Sequence, residues 1–551
     1  MRPPPFIVRS LVRLAAGGAA LLTLVWVSGG AIERHRFGGD EAAGRVRVAA
    51  LVDEAVRDIE GALQQVIDAA SIDQAAMQAA SQGDAAAERR LFARLGEAAS
   101  TARPVVSATL YGTGATPLAW SGRPVELPDT RVLGPATVFL APDAQGLLFI
   151  RVQPLQNAAD PVRHTGAIVV QAALARADED GLFGDYVLPT SLARVRVRPR
   201  FEGGGDAAPG EFLMRAQAGD VLASVSLPPD SLARERAAFG GRLRAALLGL
   251  GAGLLLLATG PLLDWRRLTR RRPVGVWLTL AVAALLIGAR WLAGRAIGSA
   301  GLAGSSLLEV GERQPWSWVA SFFFTSPLHF LTSSLTLAGL VALTSSSLEL
   351  WRLARRRRPH AVADGGAARL TLAVLIQLAA SAGMAALLVA YGAFIRFGVA
   401  GVPTDILHFG LRPWDSMRLA ILVGIIALNA AVAAAAVVLL RLALVPWAMA
   451  ALPNRLRRVI GFTWLAAPAA VVASGSIAAW TPRVPTLLAA LFVCAVAWRI
   501  GHVRAGMRKA SQAARLLTLV LGLLLPSLAF YPLLVDAAGR ARRELIETRF
   551  A

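Results

Sequence analysis

Four side chains between residues 111 and 151 are of the types that hold a small polar ligand: Tyr111, Trp120, Arg123 and Arg151. Arginine forks match carboxylates and other oxyanions, and aromatic rings supply apolar wall, so this set could line a pocket for a small anion or metabolite. The plainer alternative has Tyr111 and Trp120 filling a core while the arginines meet solvent. A second group, Arg290, Arg295, Glu349, Arg396, Gln377 and Asn429, lies within long apolar runs. Ionisable groups are costly there and are therefore candidates for function. Arg290, Arg295, Glu349 and Arg396 sit near the ends of their runs, where a charge can snorkel to water. Gln377 and Asn429 are more central, and the choice for them is between an interhelical hydrogen bond and a transport pathway.

Covalent and metal chemistry find little support. Cys494 is the sole cysteine and lies in an apolar run, which excludes an intrachain disulfide and a cysteine-based zinc site. None of His35, His164, His329, His360, His408 and His502 has the acid-rich helical setting of a phosphorylated kinase histidine. No Gly-rich loop ends in a lysine as a P-loop does. The run Phe37-Gly38-Gly39-Asp40-Glu41 matches the short signature of diguanylate cyclases, but only a membrane anchor precedes it, so we read it as a chance match. No catalytic residue, metal site or cofactor is expected.

The elements that must position these residues are set by hydropathy. The chain has 551 residues, 55% of them hydrophobic, and a mean hydropathy of +0.53, too apolar for an ordinary soluble enzyme. Apolar runs near 14–32, 243–263, 274–294, 327–351, 369–394, 418–440, 461–480, 484–499 and 515–535 predict a polytopic α-helical membrane protein with about nine spans. The first run is too long for a signal-peptide core, although Val27-Ser28-Gly29 would serve as a cleavage site, and an uncleaved anchor is expected. The net charge of +21 comes largely from arginines in alternate short loops, at 266–272, 352–358, 441–458 and 499–509. That alternation reads as the positive-inside rule, not as a nucleic-acid surface. It places the protein in a bacterial cytoplasmic membrane with segment 33–242 outside the cytoplasm, and Trp316, Trp318 and Phe322 to Phe324 in an interfacial belt. The tail 536–551 carries arginines yet falls outside on this count, so it reads as the start of a further segment, or one span is miscounted.

Segment 33–242 changes period along its length. Val48, Val52, Val56, Ile59, Leu63 and Val66 recur at three and four residues, predicting an amphipathic helix over 42–70, with a second over 85–99. Strands are expected at 105–111, 117–121, 147–152, 166–172, 194–198, 212–215 and 221–227. A long helix followed by an antiparallel sheet is an α+β layout inserted into a membrane domain.

The order of long helix, strand, Gly turn, strand through Ala119-Trp120-Ser121-Gly122, and a later hairpin ending Gly166-Ala167-Ile168-Val169-Val170 is similar to Cache-type, PAS-like extracytoplasmic sensor domains. Ser326-Pro327-Leu328-His329-Phe330 and Phe530-Tyr531-Pro532 through Arg549 look like the membrane region of multi-pass bacterial sensor histidine kinases. The resemblance implies a sensory module of a two-component system. Its partners would be a small-molecule ligand in the outer domain, membrane lipids, a second copy in a homodimer, and a cytoplasmic transmitter or response regulator. The alternative is a transporter, or a membrane enzyme of lipid-linked substrates, with a central polar cavity faced by Gln377, Asn429 or the loop acids Glu309, Glu312, Asp405 and Asp415.

Overall fold

The computed structural model describes residues 4–124, 126–144, 146–156, 164–177, 185–200, 208, 210–269, 271–302, 322–356, 367–401, 415–444, 454–473, 484–507 and 511–550. Glu309, Glu312, Asp405, Trp316 and Trp318 lie outside the described residues. The chain divides into two compact units, Val27–Gly240 and Met1–Trp26 with Gly241–Ala551.

The first unit opens on a break between two helices. Gly38, at φ 81°, ends α1 (Pro5–Phe37) with its N–H on the Arg34 carbonyl at 3.0 Å. Asp40 then starts α2 (Glu41–Ala70), its carboxylate accepting from the Ala43 N–H at 2.7 Å. The Phe37–Glu41 run is therefore a left-handed glycine stop followed by an aspartate N-cap, with Phe37, the last residue of α1, buried. All six periodic residues of α2 are buried. Helices α3 (Gln74–Ser81) and α4 (Ala85–Ser100) are capped by Asp73 and Asp84.

Among the described residues nine strands make one antiparallel sheet: β1 (Val106–Tyr111), β2 (Pro117–Ser121), β3 (Thr137–Asp143), β4 (Gly146–Gln156), β5 (His164–Ala177), β6 (Tyr186–Pro189), β7 (Arg194–Pro199), β8 (Glu211–Arg215) and β9 (Val221–Ser226). Strand β5 is its spine. It pairs with β4 along one edge; along the other it pairs with β1 through residues 167–172 and with β6 at Arg176 and Ala177. The result is a central order β2-β1-β5-β4-β3, extended by β6-β7-β9-β8 from the far end of β5. Because side chains alternate across a strand, each central strand feeds two cores. Val106, Ala108, Leu110, Phe149, Ile168 and Val170 join α2, α3 and α4 in the main core. Tyr111, Ile150, Val152, Ala167 and Val169 form a smaller core with Val132 of the short helix α5 (Asp129–Val132).

The second unit is helical. Seven helices among the described residues are long and apolar enough to cross a membrane: α1, α6 (Ser231–Leu268), α7 (Arg272–Ser299), α8 (Pro327–Arg356), α9 (Ala367–Gly401), α10 (Ser416–Ala443) and α13 (Gln512–Phe550). Two more, α11 (Asn454–Ala473) and α12 (Val484–Met507), contain shorter apolar stretches, Gly461–Val471 and Thr486–Ile500. This is a multi-pass membrane protein. At 1.5 Å per residue α1 and α6, of 33 and 38 residues, run about 50 and 57 Å, well beyond a bilayer core of about 30 Å.

Helices α9 to α13 share a core around Trp464, Phe530, Met384 and Val493. Glycine lets neighbours close in where α8 meets α10: a Cβ at Gly424 would stand 2.6 Å from the Phe330 ring. Gly249 and Gly253, spaced for such packing, instead have open space where a Cβ would be; in α6 it is Gly241 and Gly251 that meet neighbours, the Ser299 carbonyl and Leu292. Arg441 of α10 pairs with Glu349 of α8 at 2.8 Å, and Arg266 of α6 donates to Ser346 and Ser347 of α8 at 3.0 and 2.8 Å.

Candidate functional site

The sheet alternation separates the four residues expected to share a pocket. Tyr111, the last residue of β1, is buried in the smaller core, where burial pushes its phenol up, with Glu126 adding to the effect. Trp120, on the edge strand β2, is 43% exposed and meets Phe92 of α4 edge-on, with centroids 4.8 Å apart. Arg123 follows β2; its guanidinium reaches Asp143 at 3.4 Å, and its carbonyl accepts from Gln171 Nε2 at 2.6 Å. Arg151 lies opposite Val170 in the β4–β5 register, on the main-core face, whereas Tyr111 and the flanking Ile150 and Val152 belong to the other face. Tyr111 and Arg151 therefore stand on opposite sides of the sheet. The apolar residues on both sides of Arg151 had left its face undetermined.

Arg151 lines a groove of about 680 Å³ along α2, together with Glu60, Gly61, Gln64, Gln65, Asp68, Ala69 and Gln217. The α2 contribution spans 60 to 69, about 14 Å of helix, and the small residues Gly61 and Ala69 hollow it. Nothing lies within 4 Å of where a Gly61 Cβ would be. A mid-helix glycine costs about 1 kcal/mol relative to alanine, and here no neighbour requires it for close packing. The Arg151 guanidinium makes no hydrogen bond or ion pair among the described residues.

Glu60 is the group that sequence reading missed. It is 3% exposed, and its two carboxylate oxygens take the Gln217 N–H at 3.1 and 3.2 Å. Gln217 begins the β8–β9 turn, so this contact docks that hairpin on α2. The signal was present in the helical period: Glu60 falls on the same face as Val56 and Leu63, where a carboxylate is out of place. Burial pushes its carboxyl above the usual range, opposed in part by the Gln217 N–H and by Arg151.

The sign of the linkage follows. A carboxyl raised in the folded state stabilises the fold fully below its ordinary value of 4.5 and loses that contribution as the pH rises through the raised value. Glu60→Gln keeps an acceptor for Gln217 and removes the charge. It should raise the thermal midpoint of this unit at pH 7 and flatten the fall in stability above pH 4.5. An unchanged pH profile in the full-length variant would assign the titration to another group.

The amides of the helical unit are engaged with neighbouring helices. Gln377 Nε2 donates to the Ala443 carbonyl at 2.9 Å and its Oε1 accepts from Trp464 Nε1 at 2.7 Å. Ser381 Oγ donates to the Trp464 carbonyl at 2.9 Å. Asn429 accepts from the Tyr391 hydroxyl and donates to Ser527 at 3.4 Å. These bonds join α9, α10, α11 and α13, as packing in a bilayer uses them. Asp415 is spent on Arg418 one turn away, at 4.0 Å. Among the described residues no group of three or more His, Cys, Asp or Glu could hold a metal ion.

Within Val27–Gly240, the end of α1 and the start of α6 are tied side by side. Glu33 and Arg236 form an ion pair at 2.8 Å, and the Phe37 and Phe239 rings lie 6.0 Å apart. Arg36 adds a bond to the Ser191 carbonyl at 2.6 Å, between β6 and β7. In comparisons with known proteins, the chain matches no protein-family model, no curated protein and no solved structure.

Proposed function

We propose that the chain is the membrane-embedded sensory module of a bacterial two-component system, with Val27–Gly240 as a PAS/Cache-like domain outside the cytoplasm. The observation that carries this reading is the junction of α1 and α6: the helices that enter and leave the sheet unit are its first and last elements, and they are paired at Glu33–Arg236 and Phe37–Phe239. A small polar ligand in the α2 groove would bear on Glu60 and Arg151, and through them on the β8–β9 hairpin and the sheet. It would act by its differential affinity for two packings of α2, and the output would be a displacement of α1 relative to α6. Nine spans, a homodimer and a cytoplasmic transmitter or response regulator complete the reading. The central order β2-β1-β5-β4-β3 with helices across one face supports the sensor layout; the β6–β9 extension is an addition to it.

Placement is tested by labelling intact cells with a membrane-impermeant maleimide in a Cys494→Ala background. Ser100→Cys, exposed at the end of α4, should label in intact cells. Arg267→Cys, exposed at the far end of α6, should label only after permeabilisation. The reverse pattern would overturn the orientation.

A further inference from the structure

Arg290 does not snorkel. It lies nine residues, about 13 Å, before the end of α7, because that helix continues five residues past the expected span, and it is only 9% exposed. Its Nε donates to Ser333 Oγ at 2.8 Å and its Nη2 to the Phe322 carbonyl at 2.9 Å, while the Phe322 ring covers the guanidinium at 4.9 Å. No carboxylate pairs with it among the described residues. A guanidinium stays charged and has five N–H donors, so three remain, including both on Nη1.

A second donor faces the same space. Ser326, His329 and Ser333 stand at i, i+3 and i+7 along one side of the start of α8. Ser326 Oγ accepts the His329 backbone N–H at 3.2 Å and lies 2.8 Å from His329 Nδ1. Its own proton can go to Nδ1, and in that tautomer the ring proton sits on Nε2. That N–H has no acceptor among the described residues. Both donors converge on Gly294: a Cβ there would stand 2.7 Å from Arg290 Nη1 and 3.5 Å from His329 Nε2. Glycine lets the guanidinium and the imidazole close in side by side on the α7 backbone, since a side chain there would have to displace Arg290 Nη1.

We infer that these two donors form an anion site for a phosphate group, held by Arg290 Nη1 and His329 Nε2 where they meet beside Gly294. A buried cation in a low-dielectric setting requires a counter-charge, and a fork of guanidinium donors fits phosphate oxygens. The surroundings suit a phosphate that carries acyl chains. Phe322 and Trp291 expose apolar faces, and Arg295, packed on the Trp291 ring at 5.3 Å, adds a second positive charge about one and a half turns along α7. The chemistry is the same for a phospholipid headgroup and for free phosphate, and the two sources are separable.

The test uses the full chain in a neutral maltoside detergent, with native mass spectrometry and thermal shifts as readouts. The probes are dioctanoyl phosphatidylglycerol, dioctanoylglycerol as the phosphate-free control, and inorganic phosphate. A phosphate probe should bind saturably where the diacylglycerol does not; preference for the lipid identifies a headgroup site, and equal binding of inorganic phosphate identifies a free-phosphate site. Arg290→Gln should weaken that binding roughly tenfold or more, the loss of a charge-assisted pair. Gly294→Ala, whose methyl would push Arg290 Nη1 away from its place beside His329 Nε2, should do the same even if Arg290→Gln fails to fold. Equal binding by wild type and Gly294→Ala would overturn the site. So would a loss of stability in Glu309→Gln/Glu312→Gln as large as in Arg290→Gln, since a loop carboxylate would then be the counter-ion.

Discussion

Phe149→Ala is expected to cost the sheet unit about 3–5 kcal/mol, the range for removing a fully buried aromatic side chain. Phe149 is completely buried on β4, in the core that α2, α3 and α4 close over the sheet. Such a loss is a large part of the roughly 5–15 kcal/mol that holds a domain of this size. Pulse proteolysis of the full chain in neutral micelles should show Val27–Gly240 cut at lower denaturant while the helical unit persists. Simultaneous loss of both units at the same denaturant would show that they fold as one and that the sheet unit has no core of its own.

Trp464→Ala should have a comparable effect on the helical unit. The indole is fully buried among α9, α11 and α12. The emptied volume, roughly 140 Å³ at about 24 cal/mol per Å³, corresponds to about 3 kcal/mol of lost packing. Trp464→Phe retains most of the contact area and strips Gln377 Oε1 of its donor, which should cost about 0.6–2 kcal/mol. Resistance to unfolding by dodecyl sulfate, measured for both variants, separates the two terms. Equal losses would mean that the hydrogen bond, not the packing, carries the site. A graded loss fits interhelical packing better than a polar pathway through these helices.

Much of this architecture was legible because it rests on period. The six apolar residues of α2 are all buried, and β2 runs over the residues its alternation marked. What escaped was held by tertiary contacts. Helix α3 buries only Met77 and Ala80, too thin a stripe to read. Strand β3 contains Pro142 and pairs only with β4, and β6 has four residues joined to β5 through two. The candidate pocket fared less well for a geometric reason. Linear spacing placed Tyr111 and Arg151 in neighbouring hairpins, but the sheet is buried on both faces, so no polar alternation showed that they point to opposite sides. Glu60 was visible as a charge on an apolar helix face, yet its partner, the Gln217 N–H, lies 157 residues away in sequence. Arg290 was judged by its distance from a span end, and the helix proved longer than its apolar run.

The central claim is that binding at the α2 groove moves α1 relative to α6. The most direct measurement is the crosslinking rate of Glu33→Cys with Arg236→Cys, in a Cys494→Ala background and in native membranes. Small polar compounds that raise the thermal stability of the full chain should change that rate several-fold, and the change should vanish in Gly61→Trp, where an indole occupies the groove. A compound with verified binding that leaves the rate unaltered, or alters it equally in Gly61→Trp, would contradict the account.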